Sequence, residues 1–270
     1  MTVKDKLKQI TPDAVWQTGR HTWDAIKRFP KSVEATCHPW RRESIRKLRA
    51  LKDTHKGERC VIIGNGPSLN QTDVQKIRSE YTFGLNRIYL AWKEWGFSTS
   101  FYLSINDLVI EQCAEDILNL SIPAFVAWRS HRWLRPQENL HFLYTTYTGP
   151  TFAKNAAHRL WEGATVTYTA LQLAYHMGFS TVVLIGVDHS FASKGKPNET
   201  VVSQGDDPNH FNPNYFGKGF RWQLPDLDTS EIAYAMAREA YAADGRQVLD
   251  ATIDGKLTVF PKVDYDAYFG

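Results

Sequence analysis

A chain of 270 residues, 43% hydrophobic and 23% charged, has a globular composition and room for one large α/β domain with appendages or two small domains. A net charge of +3 is too small to imply nucleic acid, and three cysteines without close pairing (Cys37, Cys60, Cys113) argue against a disulfide framework or a zinc site. The N-terminus carries no signal-peptide pattern, and no stretch nears the roughly 20 apolar residues that span a bilayer. A soluble, cytoplasmic protein is therefore expected.

Residues 1–57 hold fourteen Lys/Arg against six Asp/Glu, an excess of +8 that leaves −5 for the rest. They read as a basic helical N-terminal arm, with residues 58–270 as the body. Leu7, Ile10, Val15, Trp16, Trp23, Ile26 and Phe29 fall at loosely helical spacing, which Pro12 and Pro30 would break into short helices. Residues 43–53 form a basic amphipathic helix suited either to docking on the body or to an anionic membrane face.

From residue 59 strands and helices alternate. The apolar run Cys60–Ile63 ends in Gly64-Asn-Gly-Pro67, and Ser68 with Gln71 fits a capping box opening a helix. Gly64 and Gly66 can take positive φ and admit a ligand close to the backbone; Pro67 stiffens the turn. Free N–H groups there would favour a phosphate. The pattern is neither a Walker A loop nor a dinucleotide fingerprint, since Leu69 stands where a third glycine is needed. A plain turn is the rival reading.

Tyr81–Leu85 is a strand ending at Asn86, followed by a helix over Arg87–Trp95 that Gly96 stops. Thr99–Ile105 is a third strand, ending at Asn106-Asp107, and a helix follows through Leu118. Ala124–Trp128 and Leu140–Tyr144 are strands, while residues 145–164 read as loop or short helix. Thr167–Met177 is a strong helix closed by Gly178, and Thr181–Ile185 is an apolar strand ending in Gly186-Val-Asp188-His189. Residues 192–227 form a long aromatic loop, which in a compact domain is typically a lid. Asp228-Thr-Ser-Glu231 is a capping box for a helix to Ala243 that Gly245 ends, and Gln247–Leu249 is a last strand. This alternation predicts a Rossmann-like α/β fold: an open, mostly parallel sheet with helices on both faces.

In such a sheet the strand ends at Asn65, Asn86, Asn106-Asp107 and Asp188-His189 line one crevice. Asparagine amides both donate and accept, as a base, ribose or carboxylate requires. Thr165 and Thr167 open the strong helix and could hold a phosphate or serve only as its cap. His210, in Asp206-Asp-Pro-Asn-His210 of the lid, is a candidate general base because imidazole titrates near neutrality, with His189 as its rival. No zinc or Gly-x-Ser-x-Gly pattern occurs, and no metal ligands are assigned.

Ile63-Gly-Asn-Gly-Pro-Ser-Leu69, Phe83-Gly-Leu-Asn-Arg-Ile-Tyr89 and the block Thr167–His189 resemble the MptE-like family, over residues 59–250. That family takes its name from a 6-hydroxymethylpterin diphosphokinase and includes motility accessory factors that glycosylate flagellin. The same blocks are similar to bacterial sialyltransferases of glycosyltransferase family 42, which use CMP-sialic acid without a metal. The resemblance implies that Asn65 and Asn86, with Asn106 more weakly, hold the donor beside Gly64, Gly66, Pro67 and Ser68. It matches Thr165 and Thr167 to a hydroxyl pair at a helix start, and Gly186 and Asp188 to a strand end contacting the nucleotide. It makes His210 the base. A tyrosine that steadies the leaving phosphate is replaced here by Ser190, so Tyr215 or Lys218 would substitute.

The expected activity is transfer of a sialic-acid-like or Kdo-like sugar from a CMP-activated donor to a glycan-type acceptor, with no cofactor. Two alternatives stand beside it. One is an MptE-like diphosphokinase using ATP, Mg²⁺ and a pterin, with Asp107 and Asp188 as metal ligands; the other is a non-catalytic nucleotide-binding module of a surface-polysaccharide system. The arm allows a peripheral membrane contact, and homo-oligomerisation stays open.

Overall fold

The computed structural model describes residues 13–192 and 195–270. The chain divides between Arg42 and Glu43 into two compact units. The first contains helix α1, Asp13–Cys37, which runs unbroken through Pro30. The expected break at Pro30 does not occur: a proline removes one backbone hydrogen bond, and the long helix carries enough others on either side. The expectation for residues 2–12 lies outside the described residues.

Helix α2, Pro39–Ala50, leads into the second unit. Leu48 is fully buried, the Ser44 hydroxyl accepts from the Phe142 N–H, and the turns up to Gly57 bond the end of a later helix through His176 and Met177 carbonyls. Residues 43–57 thus pack with the body.

The body is built on eight strands, all parallel: β1 Arg59–Ile63, β2 Tyr81–Leu85, β3 Phe101–Ser104, β4 Ala124–Ala127, β5 Leu140–Thr146, β6 Arg159–Trp161, β7 Thr181–Ile185 and β10 Gln247–Asp250. Their order is β10-β7-β1-β2-β3-β4-β5-β6. The chain winds outward from β1 to β6, then returns to lay β7 against the other side of β1. The winding reverses between β1 and β7, where open α/β sheets place ligands at their carboxyl ends. Strand residues are buried on both faces, as the apolar runs require.

The connections are α3 Tyr89–Trp95, α4 Asp107–Gln112, α5 Ala114–Leu118, α6 Val166–Met177 and α7 Leu227–Ala243, with α8 Tyr265–Phe269 closing the chain. Gly96 and Gly178 end α3 and α6 in left-handed conformations, as expected of helix-stopping glycines. Helix α6 is buried from Thr167 to Met177 and forms the core with α7, Leu171, Leu173 and Tyr241 among the contacts.

Four local expectations are corrected. After β1 come two 3-10 turns, Pro67–Gln71 and Val74–Ile77, instead of an α-helix, and Ser68 makes no cap. Residues 145–164 contain β6, a three-residue edge strand. The lid carries a small antiparallel hairpin, β8 Thr200–Val202 with β9 Arg221–Gln223. Helix α7 is capped two residues earlier than the Asp228–Glu231 box implies: Asp226 accepts from the Thr229 N–H and hydroxyl, which leaves Glu231 for another partner.

Candidate active site

At the reversal point the turns after β1 and β7 press together. Gly64 N–H donates to Ile185 O at 2.8 Å and Gly66 N–H to Gly186 O at 2.9 Å. A Cβ on Gly64 would lie 2.3 Å from Gly186 O, and one on Gly66 would lie 1.8 Å from Asp188 Oδ2. These glycines are therefore required by a protein neighbour. Neither has positive φ; that conformation belongs to Gly186, at 65°. The Asp188 carboxylate accepts from Ser68 N–H at 3.0 Å and from Ser68 Oγ at 2.7 Å, so the donors expected for a phosphate are held by an internal carboxylate.

Beside this junction opens a cavity of about 650 Å³, lined by the ends of β1, β2, β3 and β7 (Asn65, Asn86, Asn106, Asp188), by the start of α6, and by lid residues. Asn65 Nδ2 donates to Leu85 O at 3.0 Å, and its Oδ1 is buried without a partner. Asn86, at φ 48°, accepts from the Ser104 hydroxyl through Oδ1. Asn106 Oδ1 caps α4 by accepting from the Leu108 and Val109 N–H groups. Each amide is thus oriented by the protein through one end, leaving hydrogen-bonding capacity at the other. Thr165 caps α6, accepting from Thr167 N–H at 3.3 Å and lying 3.3 Å from the Tyr234 hydroxyl. Burial raises the Tyr234 phenol, which stays neutral.

The lid folds back over the β1 turn. Phe211 N–H donates to Asn65 O at 2.9 Å, Asn70 Nδ2 donates to Phe211 O at 2.9 Å, and Arg221 N–H reaches Gln112 Oε1 at 2.9 Å. These bonds bring His210 to the cavity wall. Its Nδ1 lies 2.8 Å from Asp207 Oδ2, and its ring stacks on Tyr215 at 4.0 Å with a 6° interplanar angle. The Asp207 side chain is only 4% exposed, so the pair is screened from water. A carboxylate on Nδ1 fixes the tautomer that leaves Nε2 free to take a proton. His189 also lines the cavity, paired through Nε2 to Glu231 at 2.9 Å, but that carboxylate is half exposed.

Tyr215 and Lys218 fall outside the cavity lining. Tyr215 is fully buried behind His210, with its oxygen accepting from the Arg87 N–H; burial pushes its phenol up. Lys218 is exposed. Pro67 and Ser68 do not line the cavity, whereas Gly64, Gly66, Thr165, Thr167 and Gly186 do.

Three residues around the cavity have no signature in the sequence. Asp207 was visible only as part of an acidic turn. Glu162, buried on the cavity wall, pairs with Arg129, which also holds Asp107 Oδ1 at 2.6 Å; burial pushes the Glu162 carboxyl up against the pull of Arg129. Ala164, at φ 59° beside Gly163 at φ 56°, bends the chain sharply into α6.

Together these features define a Rossmann-like α/β protein whose strand ends and lid enclose a cavity of mixed polar and apolar lining. A family profile described as 6-hydroxymethylpterin diphosphokinase MptE-like matches residues 40–194, and the chain belongs to the MptE-like family. Among solved structures, the MAf glycosyltransferase from Magnetospirillum magneticum AMB-1 is 14% identical with a TM-score of 0.49; the match covers 83% of this chain and 38% of that one. No curated protein matches the chain.

Proposed function

We propose that the protein is a glycosyltransferase that moves an acidic, sialic-acid-like or Kdo-like sugar from a CMP-activated donor to a hydroxyl of a glycan-type acceptor. The observation that carries this reading is the screened His210–Asp207 pair on the same cavity as Asn65, Asn86 and Asn106. In the reaction the acceptor oxygen forms a bond to the anomeric carbon of the sugar. His210 Nε2 takes the hydroxyl proton, the bond from that carbon to the phosphate oxygen breaks, and its electron pair leaves with CMP. Asn65, with an unpaired buried Oδ1, Asn86 and Asn106 bind the donor, and the N-terminal end of α6 with Thr165 faces its negative charge.

The family description names a diphosphokinase, and that activity would draw on Asp107 and Asp188 for Mg²⁺. The residues do not fit. Asp107 is bound by Arg129 and Arg132 and is not on the cavity wall, and Asp188 accepts from the Ser68 N–H and hydroxyl, so the two carboxylates do not face one ion together. The test is His210→Ala. It should keep CMP affinity and lose transfer; normal turnover in that variant would remove His210 from the reaction.

A further inference from the structure

Helix α1 carries a feature that the proposed activity does not use. Trp23, Ile26, Phe29 and Val33 are exposed by 58%, 59%, 67% and 44%. At 100° per residue they share an arc of about 120° on one side of the helix. Four large apolar side chains in solvent on one face form a patch that soluble surfaces rarely leave uncovered.

Its surroundings indicate what covers it. Lys27 and Lys31 are exposed on the neighbouring flank, Lys27 lying 5.2 Å from the Trp23 ring centroid. From Trp23 to Arg42 the chain holds five Lys/Arg against two Asp/Glu. A second copy of the helix is a poor occupant. A two-stranded seam needs apolar residues at a and d over several heptads, but Pro30 stands within this face and beyond Val33 it continues into Thr36 and Cys37. Aromatic and aliphatic side chains on one face, Lys and Arg beside them, and low overall hydrophobicity are the features of a helix lying in a lipid interface. No helix among the described residues is long and apolar enough to cross a membrane.

We propose that α1 lies along an anionic lipid surface. Trp23, Ile26, Phe29 and Val33 enter the acyl boundary, while Lys27 and Lys31 contact the phosphate headgroups. The attraction has an apolar part that salt leaves intact and an electrostatic part that salt screens.

The experiment is co-sedimentation of the full chain with vesicles of phosphatidylcholine alone or mixed with phosphatidylglycerol. Binding is expected on the mixed vesicles, much less on the neutral ones, and weaker as salt is raised. The triple variant Trp23→Ser, Ile26→Ser, Phe29→Ser should bind roughly tenfold more weakly. Its thermal unfolding should match that of the parent, because the three side chains are solvent-exposed. Lys27→Glu with Lys31→Glu should lose the preference for anionic lipid. Equal recovery on both vesicle types, no recovery on either, or unchanged binding by the triple variant would overturn the proposal. So would a lipid-free dimer, seen by light scattering, that the triple variant abolishes.

Discussion

The Asp188 carboxylate is held by Ser68, 3.0 Å from its main-chain nitrogen and 2.7 Å from its hydroxyl. This bond joins the turns after β1 and β7 across the point where the sheet reverses its winding, and Gly66 is what allows the approach. Gly66→Ala should therefore destabilise the fold by about 1–3 kcal/mol, the usual cost of forcing an atom into a packed site. Asp188→Ala also destabilises, by removing the two bonds. The double variant should be more stable than the sum of the two predicts, since removing the Asp188 carboxylate clears the space that a Cβ at position 66 needs. Urea unfolding of the four proteins measures the coupling, and strict additivity would mean that the two turns do not meet in this way.

Asp207 acts on His210 through Nδ1. Replacing it with Asn removes the charge and allows the wrong imidazole tautomer while keeping the size of the side chain. Transfer should fall by roughly 10²–10⁴-fold, the range that general-base catalysis supplies. Nucleotide affinity should be unchanged. An equal loss of affinity and turnover would show that Asp207 only supports the lid.

Arg129 holds Glu162 and Asp107 and donates to Ile105 O at 2.6 Å. Arg129→Met leaves a buried carboxylate unpaired and should cost about 3–5 kcal/mol, as broken buried pairs do. Adding Glu162→Gln should recover a large part of that loss in a thermal melt. A loss of less than 1 kcal/mol in the single variant would mean that the network is solvated.

His176 sits inside the body on α6. Its Nε2–H donates to Leu48 O at 2.8 Å, and its Nδ1 is buried without a partner. Burial lowers its pKa, so the unfolded chain takes up the proton more readily than the folded one. The associated stability is complete above the unfolded value of about 6.5 and is lost as the pH falls below it. Melting temperature should drop between pH 7 and 5, and His176→Gln should flatten that slope. An unchanged slope would assign the acid sensitivity to other groups.

The parallel sheet was legible because its central strands are short apolar runs cut off by glycine or asparagine: Cys60–Ile63 before Gly64, Tyr81–Leu85 before Asn86, Thr181–Ile185 before Gly186. Their convergence followed from topology alone. What escaped was decided by partners distant in sequence. Ser68 reads as a helix cap until Asp188, 120 residues away, claims it. Strand β6 begins with Arg159 and is too short to show a period, and β8 finds β9 only after a long excursion. Asp226 displaced the expected cap of α7 because the chain turns before Leu227, freeing Glu231 for His189. Tyr215, an aromatic in a lid, could be placed behind or in front of His210 only once the lid was folded.

The central claim is that the strand-end cavity takes a cytidine nucleotide, and ligand-dependent thermal stability in the presence of EDTA tests it most directly. CMP at a hundred times its Kd should stabilise the protein by about 2.7 kcal/mol, with UDP and ATP giving less, and Asn65→Leu should remove the effect. No response to CMP, or a response to ATP alone that returns only when Mg²⁺ replaces EDTA, would contradict the account.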